Sequence, residues 1–241
     1  MLINNKLSKY LLYAIGEIVL VVVGILIALQ VNNWNIENTN RTQEEKYLNN
    51  ILLDLEKDLA SLDYLIKFRE ERIAGDKKLI NQMNGAPIED PTEVSYNICN
   101  TIMEERFTPN NNTYSELSSS GNLNLISNDS IKILLLDLEN IYKINEFNIA
   151  HESFDYREYI SKPIMTHIEI DKLLPIFFKE STAEKQGIKL ADLQAILSNR
   201  HYKNGVYLMS IMSEFFLDLY RNLYEKSLAI IELIEKDLAD R

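Results

Sequence analysis

The chain has 241 residues, with 25 Lys and Arg against 36 Asp and Glu and a formal net charge of −11. That balance, with no clustered basic face, argues against nucleic acid as a partner and leaves the surface ill suited to anionic lipid. Seven Gly and five Pro are few for a fold of many short strands and tight turns, and the single Cys99 excludes an internal disulfide.

Residues 10–34 read YLLYAIGEIVLVVVGILIALQVNNW, with one charge, Glu17, before the polar Gln30. At ~1.5 Å per residue, 10–30 make a helix of roughly 31 Å, the thickness of a bilayer's hydrocarbon core. Backbone groups in lipid must be satisfied internally, so a lone apolar stretch of this length has to be helical. Tyr10 and Tyr13 at one end and Trp34 at the other are placed as interfacial anchors. No small-x-small cleavage site follows, as a signal peptide requires, and 18–29 has no polar face, as a soluble core helix requires. Lys6 and Lys9 precede the stretch. In the fifteen residues after it only Arg41 is basic, against Glu37, Glu44 and Glu45. This bias predicts a single-pass signal anchor with its N-terminus in the cytoplasm and the remaining chain outside. The expected division is a cytoplasmic stub at 1–9, a transmembrane helix at 10–31, a stalk-like amphipathic helix at 32–84 and a helical domain at 85–241.

Three residues mark the span as a place of contact. Glu17 is an ionisable group at membrane depth, where charge is costly and points to a proton site, an interhelix contact or a partner's counter-charge. Gly24 and Ala28 form a small-xxx-small pair that permits close helix approach.

Beyond the span, 32–41 is polar and free of Gly and Pro. Thr42 and Glu45 fit a capping box that would start a new helix, and the alternative is one helix continuing out of the membrane. From Leu48 through Leu52, Leu55, Leu59, Leu62 and Ile66 to Met83, apolar residues recur at alternating steps of four and three, interrupted by Arg69 and Asp76. Such a heptad seam serves either a self-associating stalk or packing on the chain's own domain. Gly85-Ala86-Pro87 ends the helix. Thr113 and Glu116 suggest a second capping box, Gly121 a helix stop, and Asn128 the cap of the next helix. Together these four read as a structural corner. Pro163 and Pro175 are expected to interrupt the helical pattern that follows, and 202–238 forms a last long helix. The predicted fold class is all-α: a transmembrane helix, a long coiled-coil-like helix, then a helical bundle.

Chemistry is sparse. His151, His167 and His201 lie in no metal-ligand spacing, no Gly-rich phosphate loop occurs, and the serines around 118–120 lack the setting of a nucleophile. No catalytic residue, cofactor or metal is therefore expected, and the protein is read as a non-enzyme.

Residues 13–35, YAIGEIVLVVVGILIALQVNNWN, resemble the signature of a family of uncharacterised single-span bacterial membrane proteins, a domain of unknown function. The stretch 114–138, with its Glu-Leu-Ser-Ser-Ser-Gly-Asn-Leu core, is similar to that family too. The resemblance implies a bacterial inner membrane and an outer helical domain, and no activity. The expected function is a membrane-anchored, self-associating scaffold or interaction protein, with lipid, further copies and a partner membrane protein as its contacts. The alternatives are a component of a proton- or ion-coupled complex using Glu17, whose layout is similar to that of bacterial stator partners, and a membrane-anchored ligand sensor.

Overall fold

A computed structural model describes the backbone of residues 4–241 and the side chains of 12–241. The side chain of Tyr10 thus lies outside the described residues. Every regular element among them is helical. α1, Asn4–Met83, is unbroken over 80 residues, about 120 Å at 1.5 Å per residue. Neither Gly nor Pro interrupts its polar stretch. Thr39 and Thr42 donate their hydroxyls back to the carbonyls of Asn35 and Asn38, at 2.9 and 3.0 Å. Thr42 is therefore an interior helical residue rather than a cap. α1 ends as expected at Gly85, φ +104°. There Gly85 N donates to Gln82 O and Ala86 N to Asn81 O, each at 3.0 Å, the paired bonds that close a helix on a left-handed residue.

α2, Pro91–Ile102, starts on Asp90, whose carboxylate accepts from Thr92 N. α3, Asn112–Ser119, leads through Gly121, φ +73°, and a short 3₁₀ turn into α4, Asp129–Asp155. Asn128 caps α4 by accepting from the amides of Ser130 and Ile131. Pro163 does not break the chain's course. A π-helical stretch, Tyr156–Ser161, passes directly into α5, Lys162–His167, and Pro163 falls in its first turn, where a missing N–H costs little. α6, Ile170–Phe177, likewise contains Pro175 near its end. α7, Leu190–Leu197, precedes α8, Arg200–Ala239, capped by Asn199.

α1, α4 and α8 form the frame. Glu44 meets Ser127, Asp58 meets Tyr142 and Arg69 meets Glu152, so α1 and α4 run parallel. α8 runs against both, because Lys203 reaches Asn84 while Arg241 reaches Glu44. α8 touches the π-helical stretch so closely that a Cβ on Gly205 would stand 2.7 Å from Tyr159 Cβ and 2.8 Å from its carbonyl oxygen.

The seam of α1 is occupied within the chain. Leu48, Leu55 and Leu62 are buried together with Leu135 and Leu138 of α4 and with Phe216 and Leu223 of α8. Residues 44–83 thus belong to the helical domain, whereas every side chain of 12–42 is exposed and burial begins at Glu44. A second apolar cluster, with Leu79, Ile98, Ile164, Leu193 and Val206, fills the other end.

Candidate functional site

Between the two apolar clusters lies a layer of buried charge. Along α1 the run Leu62, Leu65 gives way to Arg69, Arg72 and Asp76 before Leu79, and none of the three charged residues is more than 2% exposed. Desolvating a charge is tolerable only when it is paired and hydrogen-bonded. Arg69 meets both needs. It grips Glu152 of α4 with two nitrogens, reaches Glu105 O at 3.1 Å and stands 4.7 Å above the Phe216 ring. Burial alone would weaken its charge, but Glu152's hydrogen bonds and opposite charge outweigh that and hold its pKa above the ordinary value.

Arg72 turns towards α2. It donates to Asn100 O at 2.6 Å and to Met103 O, and so ties down the carbonyl end of that helix, where the helix dipole favours a cation. Burial and the neighbouring Arg69 lower its pKa to about 10. Asp76 has no such partner. Its Oδ2 is buried without a hydrogen bond, as are Arg72 Nε, Asn97 Nδ2 and Asn100 Oδ1. Burial lifts its pKa to about 7, against the pull of Arg72 and Arg69. Next to it, a Cβ on Gly75 would stand 2.8 Å from Asn97 Oδ1, so α2 packs directly on α1 at the charged layer.

Two further carboxylates pin other segments to α1. Asp58 accepts from Asn110 N and Nδ2 and from Tyr142 Oη, all at 2.8 Å. Glu44 accepts from Ser127 N and Oγ at 2.6 and 2.8 Å and pairs with Arg241 at 2.8 Å. A partly open recess between α1 and α4, lined by Asp54, Asn111, Tyr114 and Tyr142 among others, holds about 20 Å³, room for one water. Among the described residues no group of three or more His, Cys, Asp or Glu is placed to hold a metal. His151 and His201 are exposed, while His167 Nδ1 lies 2.7 Å from Pro163 O. Cys99 is buried, which pushes its thiol to about 12.

The residues singled out in the sequence fall in two places. Glu17, Gly24 and Ala28 lie on one side of the exposed part of α1, since steps of seven and four bring residues back near the same face at 100° each. A Cβ on Gly24 would meet nothing within 4 Å. Tyr13 and Trp34 are likewise exposed. At the corner, Gly121 takes the left-handed conformation and Asn128 caps α4, but Thr113 and Glu116 form no capping box. Thr113 N and Oγ1 both turn to Asp54 on α1, and Glu116 accepts from Tyr47 Oη at 3.0 Å. The cause is competition: a longer-range carboxylate on α1 satisfies the helix start in place of the local Glu116. The residues that sequence reasoning did not select are Arg69, Arg72, Asp76 and Glu152. Two of them had announced themselves as the breaks in the apolar seam.

α1 is long and apolar enough near its N-terminus to cross a membrane. No curated protein and no solved structure matches the chain. A family model matches residues 17–158, from the apolar stretch through the whole of α4 and into the π-helical turn, and so includes both Arg69 and Glu152. On that match, which covers more than half of its length, the chain belongs to the family of unknown function DUF6090.

Proposed function

We propose that this protein is a membrane-anchored helical scaffold that associates with its own copies and with a partner protein, and that it catalyses no reaction. The supporting observation is the division of α1. Its residues 12–42 are exposed on every side and apolar through 18–29, while 44–83 of the same unbroken helix form a wall of the core. An all-round apolar surface calls for lipid cover. A helix with no hinge carries the domain at a set height and orientation above that lipid. The proposed location is the bacterial inner membrane, crossed once, with the N-terminus in the cytoplasm and the domain in the periplasm.

The experiment is extraction of the full chain in mild detergent, followed by light scattering. An oligomer from a carbonate-resistant membrane fraction is the expected result. Release by carbonate, or a monomer at every concentration, contradicts the reading.

A second reading has one observation in its favour. Glu17 is exposed on the span beside Tyr13, Gly16 and Leu20 and makes no ion pair among the described residues. A partner span in an ion-coupled complex would supply its counterpart. Glu17→Gln separates the two: unchanged assembly and phenotype sink the coupling role.

A further inference from the structure

Helix α4 is apolar on two opposite faces. The inner face carries Ile131, Leu135, Leu138 and Tyr142 into the core. The outer face, about half a turn away, carries Ile133, Leu136, Ile144, Phe147 and Phe154, which are 45–65% exposed. A helix at the edge of a soluble bundle needs one apolar face, and a second, extending over about 30 Å, marks an interaction surface.

We propose that this ridge docks against α4 of a second copy, in a parallel, in-register pair. The inference rests on the self-association reading above and names its surface. Four observations select a second copy as the occupant. Ile133, Asn140, Phe147 and Phe154 recur every seven residues, the repeat that keeps two helices in contact along their length. Asn140 is the one polar member of that row, and an Asn at such a position favours the register in which it meets its own equivalent. The companion row three residues on holds Leu136, the exposed Lys143 and Ala150, so Lys143 must turn its ammonium outward to the flank, where Glu139 lies 3.7 Å away.

The flanks carry one pair of opposite charges and no pair of like charges. In a parallel pair each residue beside the seam faces the one five positions later in the other copy. Lys132 then faces Asp137 and Glu146 faces His151, while Glu139 faces the uncharged Ile144. Among the described residues Lys132 and Asp137 pair with Asp129, at 2.6 Å, and with the half-buried Lys226, at 3.8 Å, pairings with one solvent-exposed member each and so of modest worth. Finally, α4 runs parallel to α1. Two copies held by α1 in one membrane therefore present their ridges in the same direction and at the same height.

The test uses the full chain in detergent and in membranes. Phe147→Glu, at an exposed position, should raise the dimer dissociation constant at least ~30-fold, the effect of losing one interface hot spot, with the domain's thermal midpoint unchanged. Asn140→Cys in a Cys99→Ala background should form an oxidant-induced dimer in membranes, and Lys57→Cys, on the outward face of α1, should not. An oligomer that survives Phe147→Glu and does not crosslink at 140 overturns the ridge but leaves self-association standing. A wild-type monomer at all concentrations overturns both. A monomer that loses a different co-purified protein on Phe147→Glu assigns the ridge to that protein and overturns the pairing.

Discussion

The two parts of α1 invert the usual arrangement of a protein. Along 12–42 the apolar side chains are outside and nothing covers them. Along 44–83 charged side chains are inside, with Asp58, Arg69, Arg72 and Asp76 all buried. One helix, with no break between, serves two surroundings. In the lower part the only demand is that surface match solvent, and under the proposed reading that solvent is lipid. In the upper part apolar contact supplies cohesion, and the charges fix which segments pack where. Arg69 selects α4, Arg72 selects the end of α2, Asp58 the loop at Asn110, and Glu44 both the corner and the C-terminus. Apolar side chains alone discriminate poorly between such positions, since packing forces have little direction.

The sharpest way to break this contrast is to remove one partner from the charged layer. Glu152→Ala leaves Arg69 buried and uncompensated, and should cost about 3–5 kcal/mol in denaturant unfolding. Replacing Arg69 and Glu152 together by Met and Leu should cost much less, because no orphan charge remains. Equal losses in the single and double variants would show that the pair is not what orders the layer.

Asp76 gives the next effect, and its sign is opposite. Its folded pKa, about 7, stands above the ordinary 3.8, so between those values the folded state binds the proton that the unfolded state has released. Its contribution to stability therefore falls as pH rises through that window, by up to about 1.4 kcal/mol per pH unit. Asp76→Asn should be more stable than the wild type at pH 8, with the difference vanishing near pH 4. A pH-independent difference between the two proteins would refute the assignment.

Gly205→Ala comes third. The added methyl meets the backbone of Tyr159 rather than a movable side-chain tip, so a loss of about 1–3 kcal/mol is expected in thermal unfolding. Arg241→Ala is the mildest. It removes the ion pairs to Glu44 and Asp237 at 13% side-chain exposure, for about 1–2 kcal/mol. That loss should shrink as acid protonates Glu44, whose pKa is lowered because the bonds from Arg241 and Ser127 outweigh burial.

How much of this was legible in the sequence follows from how local each signal is. The apolar run at 18–29, the Gly85 stop, the left-handed Gly121 and the Asn128 cap each depend on a few adjacent residues, and the structure has them where the pattern places them. The Thr42 and Thr113 capping boxes rest on equally local patterns and are not formed; at 42 the continuous helix, the other alternative the sequence leaves open, is the one present. At Thr42 the preceding turn is already helical, and at Thr113 a carboxylate 59 residues away takes the bond. Pro163 is expected to break the helical pattern, but it falls in the first turn of α5, directly after the π-helical stretch. The seam from Leu48 was visible, but its occupant was not. Heptad spacing is the same whether the groove is filled by another chain or by α8 more than 150 residues later. The pairing of Arg69 with Glu152, 83 residues apart, has no sequence signal beyond the break it makes in that seam.

Under the proposed reading, one unbroken helix is lipid-covered below and protein-covered above. A scan of single cysteines along α1, in membrane vesicles and a Cys99→Ala background, tests it most directly with a water-soluble maleimide. Positions 18–29 should stay unlabelled until detergent is added, and Thr39 should label at once. Leu62 should label only after denaturant unfolds the domain. Immediate labelling throughout 18–29 in intact vesicles, or labelling of Leu62 in the folded protein, would contradict the account.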